Sequence, residues 1–540
     1  MPVTKVIIEN FKGIRDQVEI PIRPITLLFG ANSAGKSTIL QALLFLRELL
    51  ERQNADADRL LASGASVDLG GFEQFVYGHD LSRKIRIGVE MELDSDGLPQ
   101  YGNQADTVWA LSEITKISVD VLVEWSHSEQ RPYITHYQVG MDGEPFGAIR
   151  AEPGFEGKLN LLNHQHHLLK EDEDENEPGG LNQVSNNFFD FNASNSNDLL
   201  SDAPLLSDSP VGQADIIERG FSQAINIGER VIPDFGRILP DEWQSPPTTQ
   251  EMVEEYNDAL AILSRIFCGA GELALNELQN IRYVGPTRVF PSRGYQSQRS
   301  PGNSRWADGS AAWDLLYSAK GGSDWFDPNS LNNLGLGYSF KLKDVLEIPT
   351  ESHLGSILKS GGDITGRLLD LDPDLITRDA NNLVERSQLK LVCERTGVEV
   401  DPSDVGSGVS QVVPVLVGAK APGYSILSVE QPELHIHPAV QCTLADALAE
   451  EVLQSDDRCL LLETHSEHLM LRWLRRIREL HEEELPPDAP TIRPEQLSVL
   501  HVESGDQGQK ITRLPITEDG DFAVKWPQGF FEERAEELFS

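Results

Sequence analysis

The sequence predicts an α/β fold: a parallel sheet covered by helices, joined to an antiparallel β lobe and interrupted by an acidic, partly helical insertion. Three observations carry that prediction. After about residue 385, short apolar runs alternate with helical segments, the pattern of parallel strands joined by helices. Near the N-terminus a glycine-rich loop joins a buried apolar run, ITLLF, to strong helix formers, TILQALLFLRELLE. Between about residues 85 and 150, IRIGVEMEL, ISVDVLVEW and YITHYQVGM alternate as half-buried antiparallel strands do.

Taken in order, KVIIENF alternates and reads as a strand, GIRDQ as a turn, and ITLLF as a short buried strand. The three alternating strands follow. Residues 170–215 then change character: KEDEDENEP is an acid run, and NNFFDFNASNSNDLLSDAPLLSDSP is rich in Asn, Ser, Asp and Pro. That composition buries too little apolar surface for a core and reads as a solvated insertion; the alternative is a docking segment for a basic partner. Helical patterns return at QEMVEEYNDALAILSRIF and ELALNELQNI. SQLKLVCERTGVEVDP reads as a hairpin, and DVGSGVSQVVPVLVGAK as a glycine-rich turn entering an apolar helix. YSILSVE and RCLLLETHS are buried strands, followed by the helices PAVQCTLADALAEEVLQ and EHLMLRWLRRIRELHEEE. LSVLHVESG and KITRLPIT make a closing hairpin before WPQGFFEERAEEL. The reading divides the chain into residues 1–90, an insertion region 91–278, and residues 279–540.

Composition bounds the function. The 540 residues suit two to four domains, or one large core with insertions, and 39% hydrophobic residues suffice to fill it. Against 45 Lys and Arg stand 86 Asp and Glu, a net charge of −41. That argues against a protein that coats nucleic acid over its whole surface, while leaving room for a local basic site. Cys268, Cys393, Cys442 and Cys459 lie far apart with no C-x-x-C spacing, which fits reduced thiols rather than a disulfide framework or zinc site. No apolar run reaches the roughly 18 residues of a membrane span, and MPVTKVIIENFKG lacks the features of a signal peptide. The expected location is the cytoplasm, with no membrane contact.

The most specific chemistry is Gly30-Ala31-Asn32-Ser33-Ala34-Gly35-Lys36-Ser37, a full match to G-x-x-x-x-G-K-[ST] between a strand and a helix that opens at Thr38. In such a P-loop the glycines let backbone N–H groups wrap phosphates, and the helix N-terminus adds partial positive charge. Lys36 is expected to reach the β- and γ-phosphates and the Ser37 hydroxyl to ligate Mg²⁺, so ATP and Mg²⁺ are the expected cofactors. A P-loop also needs an acid at the end of a neighbouring buried strand. YSILSVE ends at Glu430, the expected metal-side carboxylate. The residues after it, Glu433, His435 and His437, admit another reading as a transition-metal site, but only the nucleotide reading also explains the strand. No N-K-x-D guanine motif appears, which argues against a GTPase.

With these motifs in view, the chain resembles the ABC-type ATPases of the RecF, SMC and overcoming-lysogenization-defect (OLD) group, over roughly residues 1–80 and 280–540. Its C-terminal part is similar to a bacterial family of unknown function that reads EQPE-x-H-x-HP, ETHSEHL-x-LR and WP-x-GFF; EQPELHIHP, ETHSEHLMLR and WPQGFF stand here. The resemblance implies a RecF-like P-loop head. It implies that GSGVSQ is the signature motif, with Gly406, Ser407, Gly408 and Ser410 offered to the γ-phosphate on an opposite protomer. The working unit would then be a homodimer or higher homo-oligomer. The motif departs from LSGGQ, so the contacts of Ser407 and Ser410 stay open, as does a plain glycine-rich helix start. His465 matches the switch histidine, against a packed or capping histidine. Gln74, in GGFEQFVYG, is a candidate Q-loop residue on Mg²⁺ or the attacking water, against an ordinary exposed glutamine.

Where these ATPases carry a catalytic Glu after the Walker B acid, this chain has Gln431. An amide positions water but does not take its proton as a carboxylate does. Slow hydrolysis is therefore expected, or help from another group; Glu433 and His465 are nearest in sequence. The similar family carries Gln there too, which suits a switch better than a motor.

NIRYVGPTRVFPSRGYQSQRSPGNSRWA holds Arg282, Arg288, Arg293, Arg299 and Arg305 and no acid. With Tyr283, Tyr295 and Trp306 it reads as a possible nucleic-acid contact. The alternative is a GP-x-R element of the ATPase core whose arginines pair within the chain. There is no long heptad region, and the roughly 75 residues after His465 are too few for the Toprim nuclease of the OLD group; the EDGD cluster at Glu518–Asp521 reads as a hairpin turn. The expected function is an ATP-dependent dimerisation switch in phage defence or DNA maintenance, licensing a separately encoded effector such as a nuclease. A non-hydrolysing ATP-sensing scaffold and a transporter's nucleotide-binding subunit are the alternatives.

Overall fold

The computed structural model describes residues 3–31, 34–53, 55, 69–101, 111, 114–152, 157–161, 166, 225–226, 231–239, 250–295, 297–298, 304–319, 325–361, 372–381, 383–505 and 507–526. The acid-rich stretch 170–215, Asn32, Ser33 and Arg299 lie outside them.

Two large sheets organise the chain. The first has eight strands in the order β2-β1-β4-β5-β6-β7-β8-β9, all antiparallel. Its members are β1 (Val3–Glu9), β2 (Val18–Pro21), β4 (Ile85–Glu92), β5 (Lys116–Ser126), β6 (Arg131–Met141), β7 (Glu144–Arg150), β8 (Lys158–Leu161) and β9 (Ile225–Asn226). The expected boundary near residue 90 falls inside this sheet, because β4 pairs with β1 on one side and β5 on the other. Strands from the head and from the insertion region therefore share one lobe.

The second sheet has six strands in the order β10-β14-β15-β3-β16-β17. They are β3 (Ile25–Gly30), β10 (Ile281–Val284), β14 (Ile426–Glu430), β15 (Cys459–Glu463), β16 (Leu497–Gly505) and β17 (Gly508–Leu514). The first five run parallel and β17 returns antiparallel to β16. Both faces are covered, so its strands read as continuous apolar runs. Side chains still alternate between the two cores. Leu28, Ile426, Leu461 and Leu500 join the core under the β lobe, and Leu27, Leu427, Val429, Leu462 and Val499 the opposite one. A third, three-stranded sheet joins β11 (Tyr338–Glu347), β12 (Val384–Cys393) and β13 (Glu399–Val400).

Six of the helices among the described residues fill these layers. α1 (Thr38–Arg52) is buried almost all round, the mark of a helix enclosed between sheets, and α2 (Gln250–Gln279) packs against it and against β5 and β6. On the other face α3 (Ser310–Ser318), α4 (Ser407–Lys420), α5 (Pro438–Leu453) and α6 (Glu467–His481) pack in succession. α6 starts where Ser466 accepts the N–H of Leu469, and it buries Leu469, Met470, Trp473, Leu474 and Ile477 along one stripe. Arg472 and Arg476 both clamp Asp446 of α5, fixing the two helices in register. The EDGD cluster is a turn: Thr517 N–H donates to the Asp521 carbonyl, Asp521 N–H donates to the Thr517 hydroxyl, and Arg478 of α6 holds Asp521.

One consequence for stability arises in the β lobe. Burial first, then Arg150 and Lys84, pushes the His136 imidazole of β6 down to about 4. In the unfolded chain the ring titrates near 6.5. Between those values the unfolded state binds a proton that the folded state refuses, so stability falls as pH drops from about 6.5 to about 4. His136→Gln is expected to remove roughly 3 kcal/mol of that loss by pH 4, read as urea midpoints against pH.

Candidate nucleotide-binding site

The site forms where β3, β14 and β15 end side by side. β15 lies between β3 and β14, so the P-loop strand and the strand ending in Glu430 are separated by the strand ending in Glu463. β3 is buried throughout and delivers the chain to Gly30, where a Cβ would stand 2.2 Å from the Val502 carbonyl oxygen of β16. Only glycine permits that approach. At Gly35, φ is +88° and the Gln509 side chain of β17 occupies the space of a Cβ. The loop then enters α1 with Thr38 N–H donating to Gly35 O.

Lys36 is 3% exposed and turns back into its own loop. Its ammonium donates to the carbonyls of Gly30 at 3.2 Å and Ala31 at 2.9 Å and lies 3.8 Å from Glu463. Burial lowers its pKa; Glu463, Glu433 and Glu430 oppose that shift. The Ser37 hydroxyl donates to Glu463 Oε2 at 2.6 Å. Glu463 was not among the residues expected from sequence. The signal was present, since RCLLLE ends a buried strand in an acid as YSILSVE does.

Glu430 faces Glu463 across the β14–β15 ladder, in register. Its Oε1 accepts the Tyr283 hydroxyl at 2.9 Å. Burial raises its pKa, the neighbouring Glu463 adds to the rise, and Tyr283, Arg288 and Lys36 pull it back. Gln431 sits in the left-handed region at φ +46°, its N–H donating to Glu463 O at 2.7 Å. Glu433 is a brace: its two oxygens accept the Thr464 hydroxyl and the His465 N–H, each at 2.8 Å. His465 lies beside Gly30 and Lys36, and burial followed by the Lys36 charge lowers its pKa. His437 caps α5 by accepting Ala439 N–H. Among the described residues no group of three or more His, Cys, Asp and Glu converges as a metal cluster. With Glu433 and His437 so engaged, a transition-metal site at HIH has no geometric support.

The oxygen donors at the mouth, a serine hydroxyl beside carboxylates, suit a hard ion such as Mg²⁺. Lys36, the two crowded glycines and the start of α1 suit phosphate. The residues present therefore fit Mg²⁺ and ATP.

The remaining expected residues divide. Gly406 and Ser407 are exposed at the start of α4. Gly408 lies against the His435 backbone, where a Cβ would meet its carbonyl oxygen at 2.8 Å. Ser410 is fully buried with its hydroxyl donating to Ser407 O, which removes it from any surface a facing copy could reach. Gln74 is exposed on a one-turn helix, Phe72–Phe75, and among the described residues no hydrogen bond joins it to Ser37, Glu430 or Glu463.

Of the two readings of the arginine island, the structure favours the internal one for three of its members. Arg282 is 6% exposed, donates to the carbonyls of Gly418, Ala421 and Pro422, and lies over the rings of Trp306 and Tyr424. Arg288 is 4% exposed and joins the Gln411 carbonyl of α4 to those of Glu430 and Gln431. Arg305 pairs with the buried Asp314. Arg282 and Arg288 are core struts, and Arg305 is a partly exposed one, because each finds its acceptors inside the chain. Arg293 is the exposed member among the described four, paired with Asp404. The C-terminal WP motif has a structural role as well: the Trp526 ring stands edge-on to Phe29 of the P-loop strand, 5.3 Å between centroids.

Residues 1–198 match the model of the AAA ATPase domain family, and residues 326–471 that of "AAA domain, putative AbiEii toxin, Type IV TA system". Each of these two stretches thus matches an AAA-family ATPase domain. This AAA-type head is also similar to the DNA replication and repair protein RecF of Shewanella baltica strain OS155, at 28% identity over 182 residues, 32% of this chain and 46% of RecF. RecF of strain OS185 is 27% identical over the same length. The chain thus spans about half the length of the curated relatives it matches. Among solved structures, an SMC head bound to the C-winged helix domain of ScpA aligns with a TM-score of 0.39 and 11% identity, covering 95% of this chain and 98% of that one. The SMC head domain from Thermotoga maritima aligns at 0.33 and 7%, covering 96% and 100%. Among the described residues no helix is long and apolar enough to cross a membrane.

Proposed function

We propose that this chain is an ABC-type ATPase of the RecF/SMC-like kind, which binds ATP with Mg²⁺, hydrolyses it slowly, and works as an ATP-dependent dimerisation switch. One observation carries the reading: Lys36 and Ser37 of an intact P-loop converge with Glu463, Glu430 and His465 at the ends of adjacent parallel strands. Lys36 would exchange its loop carbonyls for phosphate oxygens, and Ser37 with Glu430 would hold Mg²⁺, which neutralises phosphate charge when bound. His465, beside Gly30, is placed to register the γ-phosphate. Gln431 is the reason to expect slow turnover.

Dimerisation draws support from the exposed start of α4, where Gly406 and Ser407 offer a free helix N-terminus to a facing copy. Arg288 ties that helix to the end of β14, so a change at Glu430 is felt at the same surface. A role in DNA maintenance is supported by the RecF relatives; a role in phage defence with a separately encoded effector rests on the sequence resemblance alone. Buried Arg282 and Arg288 no longer support a DNA contact; among the described residues Arg293 and the partly exposed Arg305 remain, each paired with an acid. The non-hydrolysing scaffold is the second reading, favoured by Gln431 alone.

Sedimentation velocity tests the switch. The protein is expected to sediment as a dimer with Mg²⁺ and ATP and to revert with ADP, and Ser407→Arg to stay monomeric while still binding ATP. A sedimentation coefficient indifferent to nucleotide would refute it.

A further inference from the structure

Position 431, where an acid would activate water, holds an amide, and the question is which group of this chain replaces it. Glu433 is engaged through both oxygens with Thr464 and His465. Glu430 is held by Tyr283 and stands on the strand farther from the P-loop. Glu463 differs from both. It ends the strand adjacent to β3, its carboxylate meets Ser37 directly, and its contact to Lys36 is a loose 3.8 Å. Its side chain is 13% exposed at the mouth of the site. The backbone of Gln431 is bonded to the Glu463 carbonyl, so the amide position and this acid are one rigid unit.

We infer that Glu463 is the catalytic carboxylate of this ATPase, supplying from the neighbouring strand the acid that Gln431 lacks. The acid pair thus lies across two strands, Glu430 beside Glu463, instead of along one. The Ser37 hydroxyl donates to Glu463 Oε2. Were Ser37 to hold Mg²⁺ instead, that bond would be given up and Oε2 would be free at the mouth of the site. There it accepts a proton from water as the water oxygen bonds to the γ-phosphorus. The bond from that phosphorus to the bridging oxygen breaks, its electron pair leaves on ADP, and the proton passes on to the departing phosphate or to solvent.

The inference rests on the nucleotide reading, and the test separates the two. Glu463→Gln, Glu463→Asp and Gln431→Glu are compared with wild type for ATP affinity by calorimetry with and without Mg²⁺, for turnover, and for the ATP-held dimer by sedimentation. Glu463→Gln is expected to bind Mg²⁺-ATP within about threefold of wild type, to lose about 10²-fold or more in turnover, and to remain an ATP-held dimer. Glu463→Asp is expected to retain part of the turnover, which covers the case in which the amide variant fails to fold. Gln431→Glu is expected to raise turnover, and to restore part of it in the Glu463→Gln background. Turnover by Glu463→Gln within about threefold of wild type overturns the inference. So does a loss of Mg²⁺-dependent affinity with metal-free affinity intact, which would make Glu463 a metal ligand. Wild type that binds but never hydrolyses overturns it while the nucleotide reading stands; wild type that binds no ATP overturns both.

Discussion

Lys36→Ala is expected to lower ATP affinity by roughly 10²- to 10³-fold and to abolish turnover. A charge-assisted hydrogen bond to phosphate contributes about 1.5–3 kcal/mol, and a P-loop lysine makes such bonds to two phosphates. Lys36 is buried, and its present partners are two loop carbonyls and a loose ion pair with Glu463, so it exchanges modest bonds for strong ones. The substitution also leaves Glu430, Glu433 and Glu463 without the cation they share, which adds repulsion toward a triphosphate. The fold itself is expected to survive, because α1 is held by its apolar faces. Equilibrium binding of a fluorescent ATP analogue, with a thermal melt as control, reads both. Undiminished affinity in a folded Lys36→Ala protein would place the nucleotide elsewhere.

Arg282→Leu is expected to destabilise the head by roughly 3–5 kcal/mol, a large part of the 5–15 kcal/mol typical of a domain. The guanidinium satisfies three carbonyls, at 2.6, 2.6 and 2.7 Å, at the end of α4 and the turn after it. Leucine fills part of the slot between Trp306 and Tyr424 but leaves those acceptors buried and unpaired, at about 1–3 kcal/mol each before relaxation. Burial pushes the Arg282 pKa down to about 10, so the group stays charged at neutral pH, and its role is internal rather than in nucleic-acid contact. Arg282→Lys is expected to recover less than half of the loss, since an ammonium lacks the planar fork and stacks poorly. Urea denaturation reads both variants, and a near-neutral Arg282→Leu would show that the carbonyls find water.

These two residues also show what was legible in the sequence. Lys36 belongs to a local motif: every part of the P-loop is contiguous, so strand, loop and helix could be read from spacing alone. Glu430 was legible for the same reason, as an acid closing a buried apolar run. Glu463 satisfies the same rule, yet its meeting with Ser37 spans 426 positions of chain and depends on β15 lying between β3 and β14, which no local pattern states. Arg282 shows the converse failure. A run of arginines without acids allowed a surface reading because the partners of Arg282 and Arg288 are backbone carbonyls, which carry no signature in a sequence, and those of Arg293 and Arg305 are acids outside the run. Ser410 failed likewise: helical phase turned it inward, while Ser407, three residues earlier, stays at the surface. The antiparallel lobe was legible as strands, but its continuity across residue 90 was not, because pairing partners are set by tertiary packing.

The central claim is that Lys36, Ser37 and the acids beside them form a working ATPase site. Steady-state ATP hydrolysis with Mg²⁺, by wild type and Lys36→Ala side by side, with and without duplex and single-stranded DNA, tests it most directly. The account predicts slow turnover that requires Mg²⁺ and disappears in Lys36→Ala; a rise with DNA would extend it to a DNA-gated switch. Turnover that survives Lys36→Ala, or a wild-type protein that neither hydrolyses nor binds ATP, would contradict it.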